Sequence, residues 1–72
     1  MNYKIFWIDV SDKVIYNFEE YCGVNDASVN SYEYHNNSKR VLSEFHAFED
    51  REDFAVVFES EAYYHWFLLR FS

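Results

Sequence analysis

The chain reads as a small α+β domain. Its expected architecture is two-layered: a four-stranded, mainly antiparallel sheet with two helices on one face, in the order β-α-β-β-β-α. Three observations point there. With one glycine and no proline in 72 residues, no stretch resembles a linker or low-complexity tail, so residues 1–72 form a single compact domain. Runs of β-branched and aromatic residues alternate with polar clusters. Two further segments space their apolar residues at helical intervals.

Tyr3 to Val10 is apolar on both alternating faces, with Tyr3, Ile5 and Trp7 opposite Phe6, Ile8 and Val10. That pattern suits a central strand covered at least partly on both sides. Ser11 or Asp12 then caps a helix carrying Val14, Ile15, Phe18 and Tyr21 or Cys22, and Gly23 stands where a helix end favours a left-handed residue. Ala27 to His35 favours a second strand through Val29, Tyr32 and Tyr34, and Asn36-Asn37-Ser38-Lys39 reads as a turn. Val41 to Phe48 alternates again, Glu49 to Glu52 makes a polar turn, and Phe54 to Phe58 is the clearest strand. Ser60 caps a last helix with Glu61 in its first turn and Arg70 in its last, both favourable to the helix dipole.

A chain this short buries only roughly 60% of its unfolded surface, so its stability margin is thin. Eight Phe, seven Tyr and two Trp compensate, because each large ring buries about 150–250 Å². Cys22 is the sole cysteine, which rules out an internal disulfide. The first residues lack a signal peptide's apolar stretch, and the longest apolar run, Trp66 to Leu69, is too short to span a bilayer. A reducing cytoplasm is the expected compartment.

Thirteen acidic residues against six basic ones give a net charge of −7. Direct contact with a nucleic-acid backbone needs clustered Lys and Arg, and an anionic membrane would repel this chain. The segment from helix to three strands to helix shares its element order with double-stranded-RNA-binding domains. Those need bases at the start of the last helix, where this chain has Glu59 and Glu61.

Seven acids, Glu44, Glu49, Asp50, Glu52, Asp53, Glu59 and Glu61, fall within residues 44–61 beside one base, Arg51. The plain interpretation is a solvated turn. The sharper one is an acidic ridge that enters the basic cleft of another protein, with possible nucleic-acid mimicry. Tyr63 and Tyr64 are adjacent, so on one helix they do not both point inward, and they join the acids as candidate contacts.

Chemistry leaves no comparable signature. His35, His46, His65 and Cys22 lack a metal-ligand spacing, and Asp50 to Asp53 lacks the calcium-loop pattern. Cys22 precedes a helix-ending glycine, where the negative end of the dipole raises a thiol's pKa. No phosphate loop or nucleophile elbow is present. The expectation is a non-enzyme without cofactor or metal.

Phe54-Ala55-Val56-Val57-Phe58-Glu59, then Ala62 and the ending Phe67-Leu68-Leu69-Arg70-Phe71, resembles the close of many small tailed-phage proteins. Those finish Phe-Lys-Leu-Arg-Trp, so Leu68 and Phe71 depart from the pattern. The resemblance covers about a quarter of the chain. It implies a viral origin, life in a host cytoplasm and an anti-defence or inhibitory role against a host or defence protein with a basic surface. Two alternatives stand beside it. One is a homodimer that sequesters a nucleotide using aromatic rings and Lys4, Lys39, Arg40 and Arg70. The other is a structural or assembly subunit that buries its aromatic face.

Overall fold

A computed structural model describes residues 2–72. The described residues form three strands and three helices: β1 (Tyr3–Phe6), α1 (Asp12–Cys22), α2 (Ser31–Glu44), β2 (Ala47–Asp50), β3 (Ala55–Phe58) and α3 (Glu61–Phe71), with a 3₁₀ turn at Trp7–Asp9. The sheet order is β1-β3-β2, and both pairings are antiparallel. The four-stranded sheet with two helices is thereby corrected to three strands and three helices.

The error lies in residues 27–45. The expected strand at Ala27–His35 and turn at Asn36–Lys39 are instead a loop and the first half of α2. Asn30 starts the helix: its side-chain oxygen accepts from the Glu33 N–H at 2.8 Å, which satisfies a free amide at the helix start. The polar residues that suggested a turn bond to helix carbonyls. The Asn37 side chain donates to the Cys22 carbonyl at 3.0 Å, and the Ser38 hydroxyl donates to the His35 carbonyl. Tyr34, Val41, Leu42 and Phe45 then form one inward stripe at helical spacing. The expected strand at Val41–Phe48 shrinks accordingly to Ala47 and Phe48 and continues through Glu49 and Asp50, where the sequence pattern predicts a turn.

Strand β1 also ends early. The Trp7 amide donates to the Phe54 carbonyl at 3.0 Å, and the Val10 amide turns back to Trp7. Residues 7–9 therefore leave the ladder. β1 is an edge strand, and β3 is central, with every residue from Ala55 to Phe58 buried.

Cross-strand partners share a face. Phe58 stands opposite Tyr3 and Ala47, and Val56 opposite Ile5. This face meets Val14, Phe18, Val41, Leu42, Phe67 and Phe71 of the helices. Phe67 is fully buried, its ring 5.1–5.6 Å from those of Phe18, Phe45, Phe58 and Phe71. The opposite sheet face carries Lys4, Phe6, Phe48 and Asp50 beside Ala55 and Val57. Phe6 and Phe48 remain about half exposed there.

Gly23 ends α1 with φ of 95°, and its amide bonds back to Glu19 and Glu20. An added Cβ would meet Val29 at 3.1 Å. Gly23→Ala is expected to cost more than about 1 kcal/mol, because left-handed strain and crowding combine. Urea unfolding followed by circular dichroism checks this. α3 starts as expected after Ser60, although neither Ser60 nor Ser11 makes a side-chain cap bond. The Asn17 side chain donates to the Phe71 carbonyl at 2.7 Å and ties α1 to the end of α3.

Among the described residues, no helix is long and apolar enough to cross a membrane.

Candidate binding surface at the hairpin tip and groove

The seven acids of residues 44–61 divide between the two ends of the β2–β3 hairpin. Glu52 and Asp53 lie in its turn, and Glu49 and Asp50 end β2 beside it, on opposite faces of the sheet. Glu44, Glu59 and Glu61 lie at its open end, where the Glu59 amide bonds to the His46 carbonyl. Four strand residues separate the groups, on the order of 13 Å. The expected single ridge is therefore two clusters.

Several of these carboxylates have basic neighbours. Lys4 pairs with both Asp53 and Asp50, the latter at 3.2 Å. The hydrogen bond from Lys4 is the main cause that holds the Asp50 carboxyl below its ordinary pKa. Glu49 lies 3.7 Å from Arg51, Glu59 lies 3.1 Å from His46, and Glu61 lies 3.7 Å from His65. Among the described residues, Glu44 and Glu52 have no ion-pair partner.

The adjacent tyrosines separate as their helix positions require. Tyr64 is a core residue, 8% exposed, packed on Phe58 and Tyr3. Tyr63 is half-buried, its ring 4.3 Å from that of His46 and 5.7 Å from that of Trp66. Beyond it, Trp66 and Leu69 stand exposed on the outer side of α3.

The hairpin tip holds a feature that sequence reasoning passed over. Phe54 adopts φ of 53°, the left-handed region that costs a bulky L-residue roughly 1–2 kcal/mol. Its ring is 78% exposed. The carbonyl of Phe54 is fixed by the Trp7 amide, and Asp50 accepts from the Asp53 amide, so the turn is tied on both sides. The signal was present: a chain whose only glycine is Gly23 must build any other left-handed turn from a residue with a side chain.

Behind Phe54 lies a cleft of about 220 Å³ between α1, α2 and the hairpin, lined chiefly by Trp7, Ile15, Phe18, Tyr34, Leu42 and Phe54. It continues into a second depression of about 380 Å³ along α2 and β2, which carries His35, Asn36, Lys39, Phe48 and Arg51. Ser38, Leu42, His35 and Glu49 line both parts. Sequence reasoning found Glu49, Lys39 and the rings but not their junction, because it placed residues 27–39 in a strand and a turn.

Burial pushes the Tyr34 phenol up to about 12, with the charges of Glu19, Cys22 and Glu49 adding to the effect. Burial is the main cause that pushes the Cys22 thiol to about 11, with the charge of Arg40 opposing it. Both values lie above the ordinary 9.0 and 10.0. The folded chain therefore keeps protons that the unfolded chain releases. The resulting stability is complete below about pH 9 and is lost as pH rises through 9–12. The raised pKa of Lys4, caused first by its bond to Asp53, acts in the same direction. Denaturation midpoints are expected to hold between pH 7 and 8.5 and to fall steadily above pH 9.

Among the described residues, no three His, Cys, Asp or Glu side chains gather to hold a metal ion. No family model matches the chain, and neither curated proteins nor solved structures give a significant match.

Proposed function

We propose that this chain is a non-enzymatic binding domain that docks its hairpin tip, residues 50–54, onto a basic surface of another protein. The observation that carries this reading is Phe54. A large ring held in a strained backbone conformation and left in water is costly twice over, and such strain concentrates at sites of contact. Aromatic anchors surrounded by polar groups are the usual hot spots of protein interfaces. Here the surrounding groups are Asp50, Glu52 and Asp53, and the net charge of −7 favours approach to a cationic partner. Lys4 offsets part of that local charge, and Glu52 is left without an ionic partner. Separation of the acids into two clusters supports a compact anchored contact more than a long phosphate-like strip. The phage-like C-terminal ending supports a host or defence protein as the target and an inhibitory outcome.

The test is a pull-down from bacterial lysate at about 0.05 M and 0.5 M salt, where screening lengths differ severalfold, using the natural chain and E52K/D53K. Both substitutions are at exposed positions, and Asp50 remains for Lys4. The expected result is a partner retained at low salt, released at high salt, and lost with the double variant. A partner held equally by both proteins at both salts contradicts the proposal.

A further inference from the structure

We infer that the groove between α2 and the hairpin binds a nucleoside monophosphate, with the phosphate on Lys39 and Arg51 and the base in the apolar cleft beside Trp7 and Tyr34. The distribution of the few cations leads to this assignment. Only six Lys and Arg stand against 13 acids. Lys4 is engaged by Asp50 and Asp53, and Arg70 lies over the Tyr21 ring at 4.7 Å. Lys39 and Arg51, from separate elements, nevertheless line one depression together with His35 and Asn36.

Arg51 is already oriented there. One terminal nitrogen donates to His35 Nδ1 at 3.1 Å. Its Nε is 3.7 Å from Glu49, too far for a hydrogen bond and the only acid lining this depression. The other terminal nitrogen remains free to donate to a phosphate. Lys39 supplies a second charge, and the Asn36 side-chain amide, which lines the same depression, supplies a neutral donor.

Size and polarity select the ligand class. The apolar cleft of about 220 Å³ suits a planar ring, and is smaller than the roughly 300–1,000 Å³ that holds a whole small molecule. A free phosphate would leave it empty, and an aliphatic chain would leave the cations unused. A base, ribose and phosphate in series would occupy both halves. Glu49, at the junction, is placed to accept from ribose hydroxyls, the role that carboxylates take in dinucleotide folds. A nucleic-acid strand is disfavoured by the net charge of −7.

The experiment is calorimetric titration of the full chain with the 5′-monophosphates of adenosine, guanosine, cytidine and uridine, each beside its nucleoside and inorganic phosphate. At least one nucleotide should bind at least about tenfold tighter than its nucleoside or phosphate alone. R51Q and K39Q should each weaken that binding by about tenfold, as loss of a charge-assisted contact does. K13Q, an exposed cation on α1 outside the groove, should leave it unchanged. Circular dichroism melts show that each variant is folded. Four results would overturn the inference: no binding at millimolar nucleotide, phosphate binding as tightly as the nucleotides, affinity unchanged in R51Q and K39Q, or equal loss in K13Q. The hairpin-tip reading is untouched by any of them, because its pull-down depends on Glu52 and Asp53.

Discussion

Phe67→Ala is expected to remove a large part of the domain's stability. Phe67 is fully buried at the point where sheet and helices meet, and its ring touches four other phenylalanines. Removing a buried phenylalanine ring costs about 3–5 kcal/mol, since the cavity adds to the lost transfer energy. A chain of this length has a total stability of roughly 4–11 kcal/mol. The one substitution therefore consumes a large part of the margin, and no disulfide is available to offset it, since Cys22 is the only cysteine. Leu69→Ala, two positions on and 76% exposed, should change stability by no more than about 0.5 kcal/mol. Urea titrations of the two variants followed by circular dichroism make the comparison. Equal midpoints would mean that α3 is not seated by its Phe67 face.

Phe54→Gly should move stability and binding in opposite directions. Glycine accepts φ of 53° without penalty, so the fold is expected to gain about 0.5–1 kcal/mol after glycine's own entropy cost. Loss of the exposed ring removes the anchor of the proposed contact. Hot-spot truncations cost at least about 2 kcal/mol, equivalent to a loss of roughly thirtyfold in affinity. Phe54→Leu separates the two effects: it keeps an apolar side chain and the backbone strain, and should retain part of the binding with no gain in stability. Unchanged partner affinity in the glycine variant would show that the ring is not an anchor, whatever happens to the melting temperature.

Much of the fold was legible because local and tertiary signals agreed. α1 announced itself through Val14 and Phe18 and a glycine stop, and the structure selects Cys22 over Tyr21 as its last buried residue. β3 and α3 stood out through Phe54-to-Phe58 and the apolar helix that follows. α2 was missed because its evidence is conflicting at short range. Tyr32, Tyr34 and Val29 favour a strand, and Asn36 to Lys39 favours a turn. Helical order there depends on the Asn30 cap and on the bond from Asn37 to the end of α1, the second of which joins residues 15 apart in sequence. Once residues 31–44 became helix, the sheet lost a strand and β3 became central. The candidate acids were all visible in sequence, but their division between two hairpin ends follows from strand register. Phe54 looked like the first residue of a strand, and only the backbone shows it turned outward at the tip.

Hydrogen exchange of the domain, free and in complex with the protein captured in the pull-down, addresses the central claim directly. The proposal predicts that amide protection on binding centres on residues 50–54, with α3 showing little change. Protection concentrated on the exposed Trp66 and Leu69 side of α3, with the hairpin tip still exchanging freely, would contradict it.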